Sequence, residues 1–229
     1  MTNRLDALRA KMRLENIDLV AIGPGAHLGW LLDMHPHADE RPLLFCVTQH
    51  DHGFLMPALE AESARQHTDL PFFEWSDAEG PDAALNQLLA EVGAVGANSI
   101  ALDETMRADF AALVQDALPK AKRQFSASTI GALRMRKEAD EYNALKHNAQ
   151  IADQAMQAAW AAIKPGMTER DVACIIREGF SALGAKPLFN IVGAGGNGAF
   201  PHHQTGDTVL KSGDAVVMDI GASKEGYFS

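Results

Sequence analysis

Apolar positions recur at helical spacing at Leu5, Leu8 and Met12, and Asn16 closes that pattern before an apolar run from Ile17 to Ile22. The chain therefore opens with an amphipathic helix followed by a buried strand. Pro24 and Gly25 end the strand, and His27 to Arg41 shows neither period, which reads as an irregular, histidine-bearing segment. Pro42 to Thr48 and Gly53 to Pro57 read as strands about a turn at His50-Asp51-His52, and Leu70 to Trp75 is a further short apolar run. Ala84, Leu85, Leu88 and Leu89 share one helix face, with Pro81 placed in a first helical turn. Ser99 to Asp103 is expected as a strand, Thr105 to Leu118 as a helix and Lys122 to Phe125 as another strand. Strands alternating with helices predict an α/β domain over residues 1–132, with both sheet faces covered.

Between Gly131 and Lys137 the pattern changes to a long, charged amphipathic helix that runs to about Ile163, where Lys164-Pro165-Gly166 stops it. Thr168 and Asp171 form a capping-box-like start for a second helix. Val172, Ile175, Ile176, Gly179 and Leu183 lie along one of its faces, and Gly184 marks its end. A strand at Ile191-Val192, a glycine-rich loop, the step Pro201-His202-His203, a Gly213-Asp214 turn and a strand from Ala215 to Ile220 follow. Lys224 to Tyr227 reads as the turn of a hairpin. Residues 133–229 are thus expected as a second domain, helices first and sheet after, with no convincing internal repeat.

Composition narrows the class without naming an activity. A chain of 229 residues can bury two cores, and 47% hydrophobic with 22% charged residues is ordinary for a soluble globular protein. A formal charge of −10 argues against nucleic acid, whose phosphates demand a basic face. No stretch approaches the apolar length of a membrane span, and the first twenty residues lack an apolar core with a cleavage site, so neither membrane nor export is expected. Cys46 sits in an apolar run and Cys174 beside Ile175 and Ile176, which predicts two buried free thiols and suits a reducing cytoplasm.

The candidate chemistry gathers near the end. Asp219 interrupts five apolar residues, and an ionised carboxylate among buried side chains needs a partner: a metal ion, a lysine or arginine, or backbone N–H groups. His202 and His203 nearby favour the metal. Gly193, Gly195 and Gly198 spell a dinucleotide fingerprint, with Asp219 about twenty residues on. Pro201, Gly206 and Gly213 leave no room for the helix such a site requires, so the glycines are read as a loop allowing close backbone approach. His50 and His52 flank a turn and are expected to be solvated.

Read together, Ile191 to Gly195, Pro201-His202-His203, Gly213 to Ala222 and Gly226 to Ser229, with Leu133 to Glu138 upstream, resemble the creatinase/prolidase/Xaa-Pro aminopeptidase family of pita-bread fold. The order of the motifs is specific; each alone is weak. The resemblance implies an α/β domain of the creatinase/prolidase N-terminal type, then a partial α+β pita-bread domain with a twisted antiparallel sheet. It implies a cytoplasmic homodimer in which two divalent ions (Mn, Co or Zn) activate a water to cleave the bond between an N-terminal residue and proline. The partners would be small peptides with proline at the second position. Asp219 matches a family metal ligand, and His202 the loop histidine that contacts substrate or relays a proton; His203 has no fixed counterpart. In such dimers the N-terminal domain of one subunit can reach the other's active site, a role open to His35 and His37. The family's second aspartate falls eleven positions after Asp219, beyond Ser229, and its other ligands, one His and two Glu, come later. The 229 residues are therefore expected to be a truncated, inactive piece of a longer enzyme. Two rivals remain open: a creatinase-like hydrolase of a non-peptide C–N bond that needs no metal, and a non-catalytic pita-bread binding module. A nucleotide-binding oxidoreductase is third.

Overall fold

The computed structural model describes the backbone from Thr2 to Ser229 and the side chains from Arg4 onward. The chain divides into two compact units, residues 1–136 and 137–229. The sequence pattern set this division four residues earlier, after residue 132. The difference arises because the helix Ile130–Met135 continues past residue 132 and its Leu133, partly buried, packs against the core of the first unit.

The first unit runs α1 (Thr2–Glu15), β1 (Leu19–Ile22), α2 (Ala26–Leu32), β2 (Leu44–Val47), β3 (His52–Pro57), α3 (Ala58–Ala64), β4 (Phe72–Trp75), α4 (Asp82–Glu91), β5 (Ser99–Leu102), α5 (Ala108–Ala117), β6 (Lys122–Phe125) and α6 (Ile130–Met135). Its strands form one mixed sheet in the order β4-β3-β2-β1-β5-β6. The β1/β2 and β2/β3 pairs are antiparallel, and β1/β5, β3/β4 and β5/β6 are parallel. Alternation along β1 explains two cores. Leu19 and Ala21 face a cluster with Leu88, Phe110 and Val114, whereas Val20 and Ile22 face one with Leu8, Met12, Leu28 and Phe54. The sheet ends at β6, whose four residues, Lys122 to Phe125, are all exposed, with two cations on the free edge.

Two short helices depart from the sequence expectation. Residues 26–32 are helical where an irregular segment was expected, and Ala58–Ala64 follows β3 without a break. Each has seven residues, too short to show a helical period in sequence. Cys46 is buried in β2, and burial pushes its thiol up to about 12. Cys174 is exposed, contrary to expectation, because it stands on the outer face of its helix beside the buried Val172, Ala173 and Ile176. No described helix is long and apolar enough to cross a membrane.

The second unit contains α7 (Ala139–Ala162), α8 (Glu169–Ala182), β7 (Lys186–Ala194), β8 (Val216–Lys224) and β9 (Tyr227–Phe228). Glu138 and Glu141 cap the start of α7, and Thr168 and Asp171 form the expected capping box of α8. The two helices cross where Gly179 meets Ala155; an added Cβ at Gly179 would lie 3.3 Å from the Ala155 Cα. Ile151, Ala155, Val172, Ile176 and Phe180 then form one core with Val192, Ala194 and Ala222 of the antiparallel β7-β8-β9 sheet. The opposite sheet face is open, with Phe189 44% and Val217 47% exposed.

These placements separate the two thiols chemically. In the native chain at about pH 8, Cys174 alone is expected to react promptly with Ellman's reagent, and Cys46 only after denaturation. Two fast thiols, or none, would contradict the burial assigned to them.

Candidate functional site

Antiparallel pairing with β8 uses one edge of β7 and leaves N–H groups on the other edge to be met elsewhere. The Val192 N–H donates to Thr205 Oγ1 at 2.8 Å, and the Ala194 N–H donates to Glu169 Oε1 at 2.9 Å. The segment after β7 thus folds back along its free edge. It begins as a 3-10 turn over Gly195–Ala199. No α-helix starts at the glycines, which removes the nucleotide reading. A Cβ at Gly193 would lie 3.0 Å from the Gly198 nitrogen, and one at Gly198 would lie 2.9 Å from Val217 Cγ2, so these glycines permit the close backbone approach read from the sequence.

Glu169, in the first turn of α8, holds this segment together. Its carboxylate is fully buried and accepts four hydrogen bonds. On Oε1 these come from the Ala194 N–H at 2.9 Å and the Asn197 amide at 2.8 Å. On Oε2 they come from His203 Nε2 at 2.9 Å and the Gly206 N–H at 3.0 Å. Burial opposes ionisation, but the Ala194 N–H, the Asn197 amide, the His203 ring and the Gly206 N–H outweigh it and hold the carboxyl at about 2. An ionised carboxylate only accepts, so His203 carries its proton on Nε2. Backbone bonds add to the same junction: the Glu169 N–H donates to Thr208 O and the Arg170 N–H to Gly206 O.

His202 projects from this framework. It is exposed and has φ of 56°, a left-handed conformation that costs a non-glycine residue about 1–3 kcal/mol and persists only when its surroundings impose it. The surroundings are identifiable. The Phe200 N–H donates to Asn197 O, the His203 N–H donates to Phe200 O, and the His203 ring is tied to Glu169.

Asp219 is placed differently from the sequence reading. It lies opposite Ile191 in the β7/β8 ladder, on the open face with Val217, and is exposed. Val216, Met218 and Ile220 point to the core. The strand alternates, so the carboxylate is not lodged among buried side chains, and no partner is forced on it. Among the described residues no hydrogen bond or ion pair occupies its oxygens, which leaves them available as metal donors. Among the described residues no two further ligand-type side chains accompany it there. The described residues therefore do not by themselves fit a catalytic divalent centre, which needs several O or N donors.

The other histidines separate by environment. His35 and His37 are exposed and line a cavity of about 530 Å³ in the first unit, with Asp33, Glu60 and His67. His52 is not simply solvated: it is partly buried, edge-on to Phe45 and 3.0 Å from Arg9 Nη2, and burial followed by Arg9 lowers its pKa. His27, Asp103 and Glu104 form a group with metal-ligand spacing. Arg134 Nη1 donates to His27 Nδ1 at 2.9 Å, which puts the imidazole proton on Nε2. That atom faces Ser126 Oγ at 3.5 Å, Glu104 Oε1 at 3.6 Å and Asp103 Oδ1 at 3.8 Å, and the Ser126 hydroxyl donates to Glu104 Oε2 at 2.6 Å, so the group is a polar network around a proton rather than a cation cradle. Asp103 Oδ2 is buried there without a protein partner.

Known proteins extend this picture. Residues 4–136 match the profile of the Creatinase/Prolidase N-terminal domain, and residues 143–229 that of Metallopeptidase family M24. The chain is 31% identical over 217 residues to a probable dipeptidase PepE of Mycobacterium tuberculosis, covering 92% of this chain and 56% of that protein. It is 26% identical to an Xaa-Pro dipeptidase of Pyrococcus horikoshii, covering 100% of this chain and 62% of that one. Among solved structures it is similar to dipeptidase PepE from Mycobacterium ulcerans, with a TM-score of 0.91 and 30% identity over 100% of this chain and 62% of that one. The chain thus spans between about half and two thirds of these relatives.

The Glu169 pKa sets a pH signature. A carboxyl held at about 2 when folded and near its ordinary 4.5 when unfolded stabilises fully above 4.5, and that contribution is lost as pH falls toward 2. Glu169→Gln should lower unfolding free energy at neutral pH by roughly 1.5–3 kcal/mol. In urea unfolding, the gap between wild type and variant should narrow below a pH of about 4.5; a gap constant down to about 2 would contradict it.

Proposed function

The chain belongs to the creatinase/prolidase family of pita-bread metallopeptidases, carrying its N-terminal domain and the first part of its catalytic domain, and from this we propose a peptidase that hydrolyses the bond between an N-terminal residue and proline. The substrates are small peptides with proline at the second position. The observation that carries this reading is His202: an exposed imidazole presented on a left-handed turn in the same unit as an unencumbered, exposed Asp219. Similarity to a protein named Xaa-Pro dipeptidase supports the choice of bond.

Histidine suits the task, because its ordinary pKa near 6.5 lets it donate or accept a proton at working pH. In this reading the His202 ring contacts the substrate beside the scissile carbonyl, where it can stabilise developing charge or move a proton at a ring nitrogen. Asp219 supplies one ligand of a divalent centre, two ions of Mn, Co or Zn, whose chemistry is polarisation of the carbonyl and activation of water. Among the described residues no further ligand set gathers around Asp219, so the 229 residues alone are expected to be inactive. The proposal includes a homodimer and a cytoplasmic setting, the latter in keeping with two free thiols.

The test uses a protein that carries the whole metallopeptidase domain. Such a protein should hydrolyse Ala-Pro or an Xaa-Pro peptide in a chelator-sensitive manner, and the 229-residue chain should not. His202→Ala should lower kcat by about 10²–10⁴, and Asp219→Ala should abolish tight metal binding. Chelator-resistant hydrolysis of a C–N bond in a non-peptide substrate would move the assignment to the creatinase type. Metal-dependent hydrolysis by the 229 residues alone would overturn the assignment of missing ligands.

A further inference from the structure

We propose that Glu169 and His203 act as a positioning pair for His202, fixing the left-handed turn that presents its ring. The inference deepens the hydrolase reading given above and rests on it for the catalytic consequence, although the structural coupling can be read without any activity.

Three features carry it. The first is that Glu169 is attached at both ends of one loop: through Ala194 before the turn and through Gly206 after it, at 2.9 and 3.0 Å. A single rigid group on the first turn of α8 therefore sets the span across which His202 must be carried. Secondly, the residue next to His202 is itself clamped, since His203 donates from Nε2 to Glu169 Oε2 at 2.9 Å while its backbone N–H donates to Phe200 O at 3.3 Å. Main chain and side chain of His203 are held at once, which leaves little torsional freedom for the peptide preceding it. The third feature is that His202 has φ of 56° and yet is exposed, so no packing around its own ring imposes that conformation. The constraint has to come through its neighbours, and the His203 clamp is the adjacent one. His203 does not need to touch substrate for this; it acts through His202 and is a positioning residue.

Fully satisfied acceptor geometry explains why the pair is rigid. Each oxygen of Glu169 receives one backbone N–H and one side-chain donor, so rotation about its terminal bond would break all four bonds together. Glu169→Gln replaces one acceptor oxygen by an NH₂ that would face two donors. His203→Gln keeps an N–H donor of similar reach, whereas His203→Ala removes it.

Two readouts test this. In the 229-residue chain, backbone chemical shifts should place His202 in the left-handed region for wild type and for His203→Gln, but show conformational averaging for His203→Ala and Glu169→Gln. In the protein with the whole metallopeptidase domain, His203→Ala should lower kcat about tenfold or more on an Xaa-Pro dipeptide with KM changed less than about twofold, and His203→Gln should recover most of it. In a His202→Ala background the His203→Ala change should cost nothing further, the non-additivity expected of residues that act as a unit. A left-handed His202 that persists in both His203→Ala and Glu169→Gln would overturn the coupling. So would a full additional loss of kcat from His203→Ala in the His202→Ala background. If Glu169→Gln does not fold, the three His203 comparisons decide alone. If wild type shows no Xaa-Pro hydrolysis while the chemical shifts respond as stated, the function proposed above fails and the positioning pair stands.

Discussion

The buried carboxylate of Glu169 organises the loop segment of the second unit. An ionised Glu169 removed from water would be strongly unfavourable if left bare, by at least several kcal/mol. It is tolerated because every acceptor direction is filled, and the fillers come from three different stretches: the end of β7, the 3-10 turn and the segment 203–206. The end of β7 is packed through Val192 and Ala194, but the turn and the segment after it are not; Phe200 is 65% exposed. What fixes their path is a charge held still by a helix that is itself anchored through Val172, Ile176 and Phe180 against α7 and the sheet. Hydrophobic burial sets the helix, the helix sets the carboxylate, and the carboxylate sets the loop.

This order of dependence accounts for what could be read from sequence and what could not. The capping box at Thr168 and Asp171 was visible, because it is a local spacing rule. Glu169 was not, because an acidic residue in a first helical turn is ordinary and normally needs no more than the helix dipole and water. Its four donors lie 25 to 37 residues away, and no local spacing rule connects them to it. A signal was present in outline: a buried-looking helix start followed by a glycine loop whose backbone donors had no evident acceptors. The burial expected for Asp219 erred in the opposite direction. The run Ala215 to Ile220 was read as a buried strand with Asp219 lodged among its five apolar residues, yet a strand alternates, and Val217 with Asp219 share the open face while Val216, Met218 and Ile220 face the core. Periodicity of two, applied within the apolar run, would have put the carboxylate outside.

The first unit was the more legible of the two, since continuous apolar runs such as Leu19 to Ile22 announce strands buried on both faces. Its seven-residue helices, too short for a period to declare itself, escaped. So did the polar network of His27, Asp103, Glu104, Ser126 and Arg134, whose members are scattered over more than a hundred positions and assembled by the parallel β1/β5/β6 arrangement. The family resemblance drawn from motifs of the second half is matched in both halves, with the N-terminal match covering residues 4–136. Motifs thus carried the family, whereas the positions of individual side chains follow from placements no motif encodes.

The role of Asp219 is tested most directly by diffraction from crystals of a protein carrying the whole metallopeptidase domain, grown with manganese and recorded near the manganese absorption edge. An anomalous peak within about 2.2 Å of an Asp219 oxygen, with the His202 ring turned toward the same cleft, is the expected result. An Asp219 carboxylate engaged by a lysine or arginine, with no anomalous density beside it, would contradict the assignment.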